Sequence, residues 1–249
     1  MSSTPGLLAD VVPSSFVDGP GNRYVVFLQG CSFDCLACHN PHTIGRHATA
    51  FTHRVEAADL ADEIACVAPF LTGVTVSGGE ATVQWEFVRD LFAALRDRPA
   101  TAHLTRLVDT NGDADPDVWA ELVPVMDGAM VDLKAIEPDV HRVLTGHGND
   151  RVLESIRLLD RVGRLAEVRL LVIPGVNDAP EHVDATARWL LALGSCPPVT
   201  VLGFRHAGTR EVARRFREAT PADLTTVVER LREGGVGARR ATDPARADR

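Results

Sequence analysis

The 249-residue chain lacks any apolar run of roughly 18 residues, the length needed to cross a bilayer, so no membrane partner is expected. Its first fifteen residues, MSSTPGLLADVVPSS, lack the basic start and long apolar core of a secretory signal. It lacks any excess of positive charge: 34 acidic against 26 basic residues give −8, which argues against nucleic acid as the main partner. It has no internal repeat and no low-complexity linker. An odd count of 5 cysteines does not suit a secreted disulfide framework, so a reducing cytoplasm is the expected compartment. With 45% hydrophobic and 24% charged residues, the chain reads as an ordinary globular protein whose length fits one large α/β domain or two small ones and can bury a sizeable core.

The pattern along the chain alternates strand with helix. Short apolar runs at Tyr24–Gln29, Val74–Ser77, His103–Asp109, Ala129–Lys134, Glu167–Ile173 and Val199–Gly203 read as six strands. Helical spacing appears at Arg54–Val67, Val83–Arg96, from Pro116, at Pro138–Leu144, Arg151–Val162 and Glu181–Leu193, and after Thr220-Pro221. Gly163 suits a helix C-terminus and Thr220 an N-cap. Such alternation implies parallel strands joined by right-handed crossovers; a doubly wound sheet and an incomplete barrel both satisfy it. The expected organisation is one domain over residues 1–236, followed by a tail (237–249) rich in Arg and without apolar pattern, read as disordered.

The densest chemical signal is Cys31-Ser-Phe-Asp-Cys35-Leu-Ala-Cys38. Three thiolates on one short loop suit an iron–sulfur cluster or zinc. Three ligands on a four-iron cluster leave one iron open to a small molecule. A zinc site needs a fourth ligand, for which His39 or His42 is at hand. A disulfide plus a free thiol is the plainest alternative. Cys66, inside a helix, reads as a buried core thiol, and Cys196, before two prolines, as incidental.

The remaining polar residues gather where strands end. Ser77–Glu80, Asp109, Asp132–Lys134 and the loop holding His206 fall at C-terminal strand ends, where parallel barrels build their sites. Met130, Asp132 and Lys134 share one strand face, and Arg169 lies within an apolar strand, where its charge needs a partner. Each has a structural alternative: Gly78-Gly79 and Asp109–Gly112 as turns, Lys134 and Arg169 as ion pairs, His206 as an ordinary loop histidine.

The C-x3-C-x2-C spacing after a strand resembles the radical S-adenosylmethionine (SAM) enzymes. Val17-Asp-Gly-Pro-Gly-Asn-Arg23, Phe27-Leu-Gln-Gly-Cys31, Cys38-His-Asn-Pro41, Val76-Ser-Gly-Gly-Glu-Ala-Thr82, Val108-Asp-Thr-Asn-Gly112, Asp127-Gly-Ala-Met-Val-Asp-Leu-Lys134 and Leu170-Leu-Val-Ile-Pro-Gly175 resemble, in order, the glycyl-radical-enzyme activases, the group that includes pyruvate formate-lyase activase. The nearest branch is the YjjW-type, but this chain lacks that branch's ferredoxin-like insert, so no auxiliary cluster is expected. It also has Ala37 where many radical SAM proteins place an aromatic.

The resemblance implies a partial TIM barrel, (β/α)6, and a [4Fe–4S] cluster on Cys31, Cys35 and Cys38. It implies SAM near Gly78, Gly79, Glu80, Lys134 and Arg169, with Lys134 on the SAM carboxylate and Asp132 and His206 toward its ribose or sulfonium. Asp109, Thr110, Met130 and Asp132 match positions around a monovalent cation, and Asp18 matches a position near the substrate peptide. The implied partners are a glycyl radical enzyme and a flavodoxin or ferredoxin reductant, acting on a monomer. Two other readings stand beside it. One is a radical SAM enzyme with a different substrate, such as an anaerobic ribonucleotide reductase activase; the other is a zinc-bound, non-enzymatic module.

Overall fold

The computed structural model describes residues 4–241. These residues form two compact units. The first comprises the chain up to Ser32, His42–Thr110 and Ala114–Ala129; the second comprises Phe33–Pro41, Asn111–Asp113 and the chain from Met130 onward.

In the first unit, β1 (Gly6–Ser15), β2 (Arg23–Leu28), β3 (His53–Val55), β4 (Gly73–Gly78) and β5 (Thr105–Thr110) lie in the order β3-β1-β2-β4-β5. β2, β4 and β5 run parallel, while β1 is antiparallel to both β2 and β3. The connecting helices are α1 (Ala57–Val67), α2 (Trp85–Asp97) and α3 (Pro116–Leu122). On α2, Phe87, Val88, Leu91, Phe92 and Leu95 recur at three- and four-residue spacing and are buried, so a single stripe faces the sheet. α3 begins on Pro116, whose missing N–H falls among donors a helix start leaves unpaired anyway.

The second unit holds β6 (Gly128–Asp132) from Met130, α4 (Pro138–Thr145), α5 (Asp150–Arg161), β7 (Leu165–Val172), α6 (Pro180–Leu191), β8 (Val199–Gly203), α7 (Pro221–Glu233) and β9 (Ala238–Arg240). The strand order is β6-β7-β8-β9, with β7, β8 and β9 parallel. Gly146 closes α4 in the left-handed region at φ +83°, a conformation glycine adopts without strain. Thr220 caps α7 as expected, and its hydroxyl exchanges bonds with Asp223 in a reciprocal box.

The six expected strands are β2 and β4–β8; β8 has the expected bounds and the other five are shifted at their ends by a residue or two. Three strands were not foreseen. β1 carries Asp10 and Pro13 and two register irregularities against β2, which break the alternation that marks a strand. β3 and β9 are three residues each, too short to show a period. β9 lies inside the segment expected to be disordered; its parallel pairing with β8 and the Arg239–Glu167 ion pair at 2.9 Å hold it. The rest of that expected tail, residues 242–249, lies outside the described residues. Cys66 is also corrected: it is exposed, with its thiol donating to the Asp62 carbonyl, because the buried stripe of α1 is Ala57, Leu60, Ala61 and Ile64. Among the described residues no helix is long and apolar enough to cross a membrane.

Candidate functional site

In the first unit, β2 delivers Gln29, Gly30 and Cys31 to the end of the sheet. The buried Gln29 amide donates to the His42 and Gly45 carbonyls at 3.1 and 2.6 Å, pinning the returning limb of the cysteine loop. Gly30 N–H and Cys31 N–H donate to the Thr43 and Ile44 carbonyls at 2.7 and 3.0 Å. The Gly78-Gly79 turn is stitched to the same segment. Gly79 N–H donates to Leu28 and Glu80 N–H to Gly30, at 2.9 and 2.8 Å. A Cβ on Gly78 would lie 2.2 Å from the Leu28 nitrogen, and one on Gly79 would lie 2.2 Å from the Gly30 oxygen. The chain's own backbone therefore demands both glycines.

Glu80 is buried, and one of its oxygens accepts from the Thr82 N–H, the Thr82 hydroxyl and the Thr110 hydroxyl at 2.9, 2.7 and 2.7 Å. Its carboxylate is thus a structural tie between β4 and β5. Asp109 accepts from the Ser77 hydroxyl at 2.8 Å.

Asp18 sits in the β1–β2 turn, its carboxylate bonded to the Ser15 hydroxyl and its carbonyl accepting from Thr75 at 2.7 Å. Sequence reasoning missed the residue that holds this turn. Arg23 is fully buried and donates to the Thr75 and Thr105 hydroxyls and to the Pro20, Val74 and Thr105 carbonyls, all at 2.6–3.2 Å. Burial brings its pKa down to about 10, with Asp127 opposing. A charged residue opening the apolar run Tyr24–Leu28 was the available signal.

In the second unit the cysteine loop docks on α4. Asp34 N–H and Leu36 N–H donate to the Thr145 and Leu144 carbonyls at 3.3 and 2.9 Å, filling acceptors that a helix end leaves open. Phe33 is buried, stacked on His147 at 5.2 Å and edge-on to His141 at 5.6 Å. Ala37 packs with Leu144, Ile173, Phe204 and Ala213, a cluster that accounts for the small side chain there. Cys38 N–H donates to the Cys35 carbonyl at 3.2 Å, closing a turn between the two thiols. Burial pushes the Cys35 thiol up to about 11, with Lys134 pulling the other way. Cys38 is likewise raised by burial, against a backbone hydrogen bond from Asn40 and the charge of Lys134.

Lys134 bonds Asp132 at 2.6 Å. Burial would lower its pKa, but Asp132 and the neighbouring Cys35 outweigh this and hold it charged. It is the only lysine in a chain that otherwise uses arginine, a compositional signal that its position requires a compact ammonium. Two asparagines fix the segment that follows β6. Asn177 donates to the Lys134 and Leu171 carbonyls at 2.8 and 2.7 Å, and Asn149 to the Ala135 and Ile136 carbonyls at 3.1 and 2.8 Å.

Arg169 pairs with Glu167 at 3.0 Å and donates to the Met130 sulfur at 2.9 Å. Burial raises Glu167, but hydrogen bonds from Thr200, Arg239 and Arg169 bring it below the usual carboxylate range. His206 has local partners: one ring nitrogen meets the Phe216 carbonyl at 2.8 Å, the other lies 3.4 Å from Glu218, and the ring is edge-on to Phe204. Of the four residues matched to a cation, Asp109 and Thr110 lie in the first unit, whereas Met130 and Asp132 lie in the second.

Residues 25–190 match the family model of the radical SAM superfamily. The chain belongs to the radical SAM superfamily. A pyruvate formate-lyase-activating enzyme of Streptococcus mutans is 32% identical over 208 residues, covering 82% of this chain and 79% of the relative. A pyruvate formate-lyase 1-activating enzyme of Escherichia coli K12 is 35% identical over 199 residues, 77% of this chain and 78% of the relative. A solved domain of a pyruvate formate-lyase-activating enzyme from Bacteroides vulgatus superposes with a TM-score of 0.58 at 23% identity, over 68% of this chain and 99% of that one. That likeness shows the fold, the α/β class with mostly parallel strands expected of radical SAM partial barrels.

Membership of the superfamily implies SAM and a [4Fe–4S] cluster. The residues present fit that cluster. The three loop cysteines are half-buried and free of disulfides, thiols of the soft donor type an iron–sulfur cluster takes, and the Lys134 ammonium acts on two of them, Cys35 and Cys38.

Proposed function

We propose that the chain is a glycyl-radical-enzyme activase, a radical SAM enzyme that makes a protein radical on a partner. The observation that supports this most is the C-x3-C-x2-C loop in a chain 32% and 35% identical to two pyruvate formate-lyase-activating enzymes, over more than three quarters of its length. Cys31, Cys35 and Cys38 are the residues that would hold the cluster. When bound, the cluster supplies the electron that cleaves SAM to methionine and a 5′-deoxyadenosyl radical, which removes a hydrogen atom from a glycine Cα of the partner.

The chain's own residues bind and aim. Lys134 takes the SAM carboxylate, its ammonium already oriented by Asp132 at 2.6 Å. The Gly78-Gly79 backbone, held against Leu28 and Gly30, lines the approach to the methionine portion, with Glu80 fixing the turn. Arg169, aligned by Glu167, adds positive charge, and Asp132 faces the ribose. His206 acts as a positioning residue through its bonds to Phe216 and Glu218. Asp109, Thr110, Met130 and Asp132 are the candidate ligands of a monovalent cation. Asp18 meets the substrate peptide, on a turn that Arg23 and Thr75 hold. The protein works as a monomer in the reducing cytoplasm, with flavodoxin or ferredoxin as electron donor.

The test is anaerobic incubation of the iron-loaded chain with SAM, a reductant and a candidate glycyl radical enzyme, read by electron paramagnetic resonance. A glycyl radical signal on the partner is expected. SAM cleavage with no such signal on any glycyl radical enzyme tried would shift the assignment to another radical SAM substrate.

A further inference from the structure

We infer that Arg210 and Asp34 are an opposed pair of charges that sets the reduction potential of the cluster bound at Cys35 and Cys38. The inference rests on the cluster assignment proposed above.

Its basis is a clasp within the second unit. The chain leaving β8 lies against the cysteine loop: the Arg205 carbonyl meets the His39 ring at 3.1 Å, and a Cβ on Gly208 would approach the His39 oxygen to 2.7 Å. The segment ends at Arg210, whose guanidinium donates to the Cys35 carbonyl at 2.8 Å and pairs with the Asp34 carboxylate at 2.7 Å. A full positive charge is thus bonded to the peptide of a cluster ligand, and a full negative charge lies on the residue before it. The Arg210 Nε–H is buried with no partner among the described residues.

Reduction adds one negative charge to the cluster. A fixed cation nearby, or an N–H donated to sulfur, favours the reduced state and raises the potential; a fixed anion lowers it. Lys134 and Asp132 are the other charged groups acting on these thiols, and neither is altered in the test. A purely mechanical latch would instead make every variant behave alike.

The experiment is an anaerobic redox titration of the reconstituted full chain, monitored by electron paramagnetic resonance, with iron content measured on each sample. The variants are Arg210→Gln, Arg210→Lys and Asp34→Asn. Arg210→Gln should lower the potential so that the reduced-to-oxidised ratio at a fixed poise falls about tenfold, roughly 59 mV for one electron. Asp34→Asn should shift it the opposite way, and Arg210→Lys should recover most of the loss. Shifts of the same sign in Arg210→Gln and Asp34→Asn, or no shift in either at full iron loading, overturn the inference. If Arg210→Gln fails to load iron, Asp34→Asn alone carries the sign, since its side chain is 67% exposed. Wild-type protein that takes up no iron would refute the cluster assignment itself, a distinct outcome.

Discussion

Replacing Gly79 by alanine tests how the glycine turn is coupled to the cysteine loop. The added Cβ would lie 2.2 Å from the Gly30 oxygen, 2.6 Å from the Gly30 carbon and 2.6 Å from the Thr43 oxygen, all backbone atoms. An ordinary contact needs about 1 Å more than the shortest of these, so the segment entering Cys31 must move. Overpacking of this kind costs about 1–3 kcal/mol. For a chain of this length that is about 2–12 °C in Tm. The displacement falls on residues adjoining the first cluster ligand, where a misplacement of about 1 Å can cost on the order of 10²-fold in rate. The assay pairs thermal unfolding with anaerobic 5′-deoxyadenosine formation, and Gly237→Ala, which meets nothing within 4 Å, is the control. A Gly79→Ala protein with wild-type Tm and wild-type SAM cleavage would refute the claim that backbone packing demands this glycine.

Further outcomes are expected. Lys134→Ala should leave the cluster's visible absorption intact and weaken SAM binding by about 10–100-fold, the loss of one charge-assisted bond; unchanged affinity by equilibrium dialysis would remove Lys134 from the SAM site. Arg23→Met strips donors from two hydroxyls and three carbonyls and should destabilise the fold by more than about 3 kcal/mol in denaturant titration. Arg23→Lys should rescue little of this, because one ammonium cannot span that fork of acceptors. Thr220→Ala removes the α7 cap and should cost about 1 kcal/mol in the same titration, with iron loading unaffected.

Strands β2 and β4–β8 were legible because each is a short apolar run with helical spacing between it and the next. β1 was not, since Asp10 and Pro13 interrupt it, and the three-residue strands β3 and β9 carry no period to read. The cysteine loop announced itself through donor type and spacing. Its supports did not: Arg210 reaches Cys35 across 175 residues, and Asn177 reaches Lys134 across 43. Tertiary contacts of that range leave no local pattern. Arg169 drew notice as a charge inside an apolar strand, and its partner Glu167 lies two residues away. Cys66 misled because membership of a helix says nothing about which side of it faces the core.

Iron content and SAM cleavage, measured together in anaerobically reconstituted wild type and Cys35→Ala, test the cluster assignment most directly. About four irons per chain and reductive release of 5′-deoxyadenosine are expected from the wild type, with both lost in Cys35→Ala. A wild-type chain that binds one zinc and no iron, or a Cys35→Ala chain that still cleaves SAM, would contradict it.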